Sequence, residues 1–315
     1  DFSLASDSPA IDAGDNSMSM VHPVTFYDFD GNWRKVDVAA WPDMGNPGTN
    51  PAIVDIGAVE REVNGLVVTT NASAANDGET SLSEAVVVAN SDADASNITF
   101  DPNVVGTITL DDGLTITADT TITGPGSTDL SITAPGATVI EVDGAGIDLA
   151  ASGLTITDSA LGIDATSTAG GSVDLDDVAI SGSASSAVRV ADLVRLDVSD
   201  SDLSGNGSAG ITAENTPVVV DSTTIDANGG TSPFGGGIQL SGTSGAAITD
   251  SAITNNVGAS GGGVRLETGG LDVTNSTISG NSASSSVGLP FDADRGIGGG
   301  IAVFGGAGSI TITES

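Results

Sequence analysis

The chain has 315 residues, 38% of them apolar but only 3% aromatic, so it is long enough for one or two domains while wide aromatic cores are excluded over most of its length. Acidic residues number 42 against 7 basic ones, and the formal charge of −35 argues against nucleic-acid partners and anionic lipid surfaces. The absence of cysteine excludes disulfides, thiol nucleophiles and Cys-based zinc sites, and no apolar run approaches the roughly 20 residues of a membrane span.

Residues 1–62 differ from everything that follows. Six of the ten aromatic residues, all three Met, the one His and five of the eleven Pro lie there. Phe26, Tyr27, Phe29, Trp33 and Trp41 are candidates for an interface, and the composition fits a loop-rich plug or closing segment better than regular strands. Asp28, Asp30 and Asn32 place three oxygen-bearing side chains at alternate positions, as calcium loops do, although Trp33 stands where a Gly should follow. An Asx-rich turn paired with Arg34 is the simpler reading, so cofactors are none or Ca²⁺. A catalytic triad would have to use His22, and no G-x-S-x-G elbow accompanies it.

Residues 63–150 read as opening strands, a helix and first coils. VNGLVVTT is a strand. TSLSEAVVVAN (80–90) is helical, with Ser81 and Glu84 at capping-box spacing ahead of an apolar run, and such a helix can cover the open end of a stack of strands. The strands NITF, GTITL, LTIT, TTITG, LSIT and TVIEV follow in quick succession.

Residues 151–315 carry a repeat of about 25 residues with three short strands per period, the signature of a parallel β-helix. The anchors Ile180, Leu203, Ile225, Ile253 and Ile278 form one predicted apolar column. Val188, Ile211, Ile238, Val264 and Ile301, on the strand after each anchor, form a second. Three residues past each anchor stand Ser183, Asn206, Asn228, Asn256 and Asn281. An Asn there suits a left-handed corner, and its amide can bond to the one above and below, which makes a structural ladder. The GGG triplets read as close-packed corners, and SASSSVGLPFDADR (282–295) as a surface loop.

TSLSEA (80–85), NITFDP (97–102) and ITGPG (122–126) resemble the CSLREA-type opening of bacterial surface or secreted right-handed parallel β-helix proteins. SPAIDAGD (8–15), DFDGNWR (28–34) and DIGAVE (55–60) resemble their closing motif. The resemblance implies an all-β, right-handed parallel β-helix with a short N-terminal capping helix, at the cell surface or secreted. The order, closing motif before opening motif, suggests one period of a tandem head-to-tail array: the end of one module at 1–62, then the start and middle of the next, incomplete at the C-terminus.

The expected function is therefore a structural module of an extracellular fibre or stalk. Its expected partners are copies of itself or adjacent modules of the same chain. An adhesin that holds a glycan or another surface partner is the alternative, and a polysaccharide lyase or hydrolase the second. The enzyme reading needs paired acids near an Arg. Arg189 and Arg265 share a column with Asp164, Thr212, Gln239 and Ala302 that reads as solvated surface without such pairs, and Arg195 and Arg295 give no more. The acidity itself fits a solvated surface for salty water, calcium sites or a charged brush between fibres.

Overall fold

Runs of Val, Ile, Leu and Thr broken every few residues by Asp, Asn, Ser or Gly give strands too short to bury an apolar face within their own coil. In the computed structural model, which describes residues 66–73, 79–92, 94–167, 169–229, 236–283, 298–304 and 307–315, these strands stack in parallel instead. One line of strands runs from Val67–Val68 through Ser96–Phe100, Thr120–Thr123, Leu149–Thr157, Ser172–Ser181, Arg195–Ser199, Val218–Asp221, Ala246–Thr249 and Gly269–Thr274 to Ala307–Thr313. A second runs from Gly106–Thr109 through Leu130–Thr133 and the far halves of Leu149–Thr157 and Ser172–Ser181 to Asp202–Ser204, Thr224–Asp226, Ala252–Thr254 and Thr277–Ser279. The third is an eight-stranded sheet from Leu114–Ile116 to Ile301–Val303. Each coil passes through the three lines in turn, so the molecule is an all-β parallel solenoid.

The registers fix the interior. Ile180 lies on Leu203, Leu203 on Ile225, Ile225 on Ile253 and Ile253 on Ile278. Val188 lies on Ile211, then Ile238, Val264 and Ile301. These residues are buried along one continuous core except Ile278 and Ile301, which are half-buried in the last complete coil described. Full burial of one such aliphatic side chain contributes about 1.5–3 kcal/mol. Ile312, stacked on Val273 and covered from one side only among the described residues, is 56% exposed.

The other end is closed by the helix Leu82–Ala89 (α1). Ser81 Oγ accepts from the Glu84 N–H (3.3 Å), and Glu84 Oε2 accepts from the Ser81 N–H (2.8 Å), which is the reciprocal box that the spacing predicts. Leu82, Ala85, Val86 and Ala89 are buried over the first coil. Asn90, the residue that ends α1, covers the free edge of the strand Leu114–Ile116. Its Nδ2 donates to the Thr115 carbonyl (2.7 Å) and its Oδ1 accepts from the Thr117 N–H (2.8 Å). One side-chain amide thus stands in for a missing strand and blunts an edge that would otherwise pair with another chain.

The closing segment 1–62, with Asp28, Asp30, Asn32, Phe26, Tyr27, Phe29, Trp33 and Trp41, lies outside the described residues. So do the inserted loop from residue 284 onward and Arg295.

The column geometry gives a graded stability test. Ile253→Ala removes side-chain volume from a site with no exposure and is expected to cost about 2–5 kcal/mol, whereas Ile312→Ala is expected to cost under about 1 kcal/mol. Urea denaturation midpoints of the two variants measure the difference.

Candidate functional site

Three corners join the three lines of strands, and each must dispose of backbone groups that cannot bond within their own coil. At the corner after the anchors, the backbone of each coil is answered by the side chain of the next. The Ser183 N–H donates to Asn206 Oδ1 (3.1 Å), the Asn206 N–H to Asn228 Oδ1 (3.0 Å), the Asn228 N–H to Asn256 Oδ1 (2.9 Å) and the Asn256 N–H to Asn281 Oδ1 (2.9 Å). The amide nitrogens run the same way. Asn206 Nδ2 donates forward to Asn228 Oδ1 (2.9 Å) and back to the Ile180 carbonyl (3.0 Å). Asn228 and Asn256 repeat both bonds. Ser183, one coil earlier, shares a hydroxyl contact with Ser159 (3.0 Å).

The left-handed conformation expected at the ladder residue belongs instead to the residue before it. Gly182, Gly205, Ala227, Asn255 and Gly280 have φ of +69°, +66°, +54°, +54° and +67°. The chain turns at that residue, and the turn points the next side chain inward, where a neutral amide with two donors and an acceptor meets the coils on both sides.

Sequence reasoning missed a second inward column at the corner before the anchors. The Val178 N–H donates to Ser201 Oγ (3.0 Å), the Ser201 N–H to Thr223 Oγ1 (3.3 Å), the Thr223 N–H to Ser251 Oγ (3.1 Å) and the Ser251 N–H to Ser276 Oγ (3.1 Å). Each hydroxyl also donates within its own coil, as Ser201 does to the Ser199 carbonyl (2.6 Å). A left-handed residue again precedes each: Asp200, Ser222, Asp250 and Asn275. The third corner repeats the device with Thr216 and Ser244. The available signal is a Ser or Thr five residues before each ladder Asn, a spacing that does not vary from Ser201 to Ser276.

The outward face corrects the reading of the Arg189 and Arg265 column as solvated surface at Asp164 and Arg265, which are buried, while Arg189 is exposed as that reading has it. Arg189 pairs with Asp164 of the preceding coil, which is 8% exposed and follows Glu141 in register. The hydrogen bond that Arg189 donates to the Asp164 carboxylate raises the Arg189 pKa, against a smaller opposing effect of burial. Arg265 is 9% exposed, with Glu267 at 2.5 Å, Ser260 Oγ at 3.3 Å and the Phe304 ring centre at 4.9 Å.

Arg195, read as lacking paired acids beside it, stands between two acids. Asp174 and Asp197 are register partners on neighbouring coils, and the Arg195 guanidinium reaches Asp197 Oδ2 at 2.8 Å and Asp174 Oδ1 at 3.4 Å. Asp197 Oδ1 is buried without a hydrogen-bond partner. Burial pushes the Asp197 carboxyl above the ordinary carboxylate range, Arg195 pulls it down, and Asp174 adds to the rise. Two stacked carboxyls beside one cation can hold a proton between them. Among the described residues no group of three or more His, Asp or Glu is arranged to hold a metal ion, and no helix is long and apolar enough to cross a membrane.

A family model described as the right handed beta helix region matches residues 138–315, more than half of the chain. The chain belongs to the right-handed β-helix family. No curated protein and no solved structure matches it. The matched span of this β-helix begins at the strand Thr138–Asp143 and takes in all of the Asn and Ser/Thr columns.

Two predictions follow from the corners and the acid pair. Ala227 is neither Gly nor Asn at a left-handed corner where the adjacent coils use Gly205 and Asn255, so Ala227→Gly is expected to stabilise the β-helix by about 0.5–1 kcal/mol in urea titrations. Asp197 binds its proton more tightly folded than unfolded, so its contribution to stability is present at low pH and lost as pH rises just above the ordinary carboxylate range. Asp197→Asn is therefore expected to flatten the stability profile across that interval, measured as denaturation midpoints at a series of acid pH values, and to leave neutral-pH stability unchanged or higher.

Proposed function

We propose that this β-helix is a structural module of an extended fibre or stalk outside the cell, and that copies or adjacent modules of the same chain are its partners. The observation that carries the reading is the continuity of the two ladders. From Val178 and Ser183 to Ser276 and Asn281, the described corners hand each inward donor to the next coil without a break. A force along the axis is shared over many parallel hydrogen bonds and one apolar column, which suits a load-bearing rod. The strongly negative surface, with a formal charge of −35, keeps neighbouring rods apart.

The Asp174–Arg195–Asp197 cluster favours a second reading, action on a polysaccharide, because paired carboxyls beside a cation on an open sheet face are suited to acid–base work on glycosidic bonds. One comparison separates the two. Electron microscopy of the whole chain is expected to show rods whose shape does not depend on added glycan, and assays for new reducing or unsaturated sugar ends on acidic and neutral polysaccharides are expected to stay at background. Sugar-end release that disappears in Asp174→Asn and Asp197→Asn would replace the fibre reading with the enzymatic one.

A further inference from the structure

Two ladder residues are followed directly by glycine, as Asn206–Gly207 and Asn228–Gly229. The fold imposes both halves of these pairs. The Asn side chains are 1% exposed and satisfy the ladder. A Cβ on residue 207 would stand 2.5 Å from the Ala184 carbonyl oxygen, and one on residue 229, at φ +100°, 1.7 Å from that of Val257. Asn–Gly is also the dipeptide in which the following amide nitrogen most readily attacks the Asn side chain, because glycine offers no Cβ to hinder the approach.

We infer that Asn206 and Asn228 are latent sites of covalent modification, silenced by the ladder and released when a coil opens. In the reaction, the Gly N–H gives its proton to solvent base and the nitrogen attacks Asn Cγ. The side-chain nitrogen leaves as ammonia, and a succinimide remains. Water then opens either ring carbonyl, giving aspartate or isoaspartate. The net change is one water consumed and one ammonia released, with no redox partner.

Both reacting groups are engaged in the stacked state. The Gly207 N–H donates to the Ser183 carbonyl (2.8 Å) and the Gly229 N–H to the Asn206 carbonyl (3.0 Å). Swinging the Asn206 amide toward Gly207 breaks its bonds to Ile180, to Asn228 and from Ser183. Swinging that of Asn228 breaks its bonds to Leu203 and Asn256. The attack therefore waits for local opening of the stack.

The change is one-way. A carboxylate at 206 would turn an acceptor toward the Ile180 carbonyl and Asn228 Oδ1, where the amide donated. Isoaspartate also routes the backbone through an extra carbon and breaks the register. A coil that has opened for long enough cannot close again, so the ladder records its own opening.

The test follows both sites in the whole chain by mass-spectrometric peptide mapping in mildly alkaline buffer, with and without urea. Native chains are expected to form aspartate and isoaspartate at 206 and 228 about 100-fold or more slowly than unfolded ones, the suppression set by the opening equilibrium. Equal rates in the two conditions, or no product in urea, would overturn the inference. Refolding after a long urea exposure tests the one-way step. Wild type is expected to lose its recoverable fraction in proportion to isoaspartate, while Asn206→Ser/Asn228→Ser, which keeps a column side chain that Ser183 already uses, recovers fully. Full recovery of modified wild type to an unchanged midpoint would refute the one-way step, whether or not the double variant folds.

Discussion

The structure depends on one constraint: at a corner of a parallel coil, the backbone N–H cannot be satisfied by its own coil and has to be answered by the next. A left-handed residue followed by an inward Asn, Ser or Thr meets that demand at two of the corners, and at the third Thr216 meets it after Asn215, while Ser244 follows the left-handed Gly242 by two residues. The apolar columns depend on it in turn. Val, Ile and Leu stack with no offset from coil to coil only because the corners hold the coils in one register. A single hydrogen bond of this kind is worth only about 0.5–1.5 kcal/mol net. An unanswered buried donor costs more than that, so the ladder acts chiefly by excluding every other register.

Much of this was legible in the sequence. The anchors from Ile180 to Ile278 show through because an apolar residue is followed at a constant interval by Asn or Ser, and no insertion falls between them. The capping helix shows through because Ser81 and Glu84 are local partners. The Ser/Thr column did not, since Ser and Thr are so common in this chain that Ser201 or Thr223 does not stand out without its distance to the Asn. The placing of the left-handed turn was off by one residue because Asn both tolerates that conformation and makes ladders, and sequence alone does not say which property is in use. The pairing of Arg195 with Asp174 was hidden for a different reason. The two lie 21 residues apart, and only the coil period brings them together.

Charge is distributed by the same alternation that builds the core. Along each strand inward residues are apolar, so the acids are driven outward and onto neighbouring coils, which lie about 4.8 Å apart. Stacked carboxyls at that spacing repel, and the few Arg side chains are spent where acids coincide. Arg189 answers Asp164, and Arg195 answers Asp174 and Asp197. Asp197 still retains a buried oxygen without a partner, so the compensation there is incomplete. A proton or a cationic ligand group would meet the shortfall, which is why this face rather than the more completely paired Arg189 column supports a chemical reading beside the mechanical one.

Variation in length is largest at one place, and the ladders explain where. The interval from the Ser/Thr column to the Asn column stays at five residues in every coil from Ser201 to Asn281, whereas the interval from the Asn to the next inward residue is five at Asn206–Ile211, ten at Asn228–Ile238 and twenty at Asn281–Ile301. An insertion between the two columns would offset both ladders and both apolar columns at once. An insertion after the Asn offsets nothing, because the Asn has already closed its bonds before the chain leaves the stack. Loops of any composition can therefore be added at that corner at little cost to the rod. A fold selected for continuity thereby keeps one corner where binding or chemistry can change independently of the load-bearing interior.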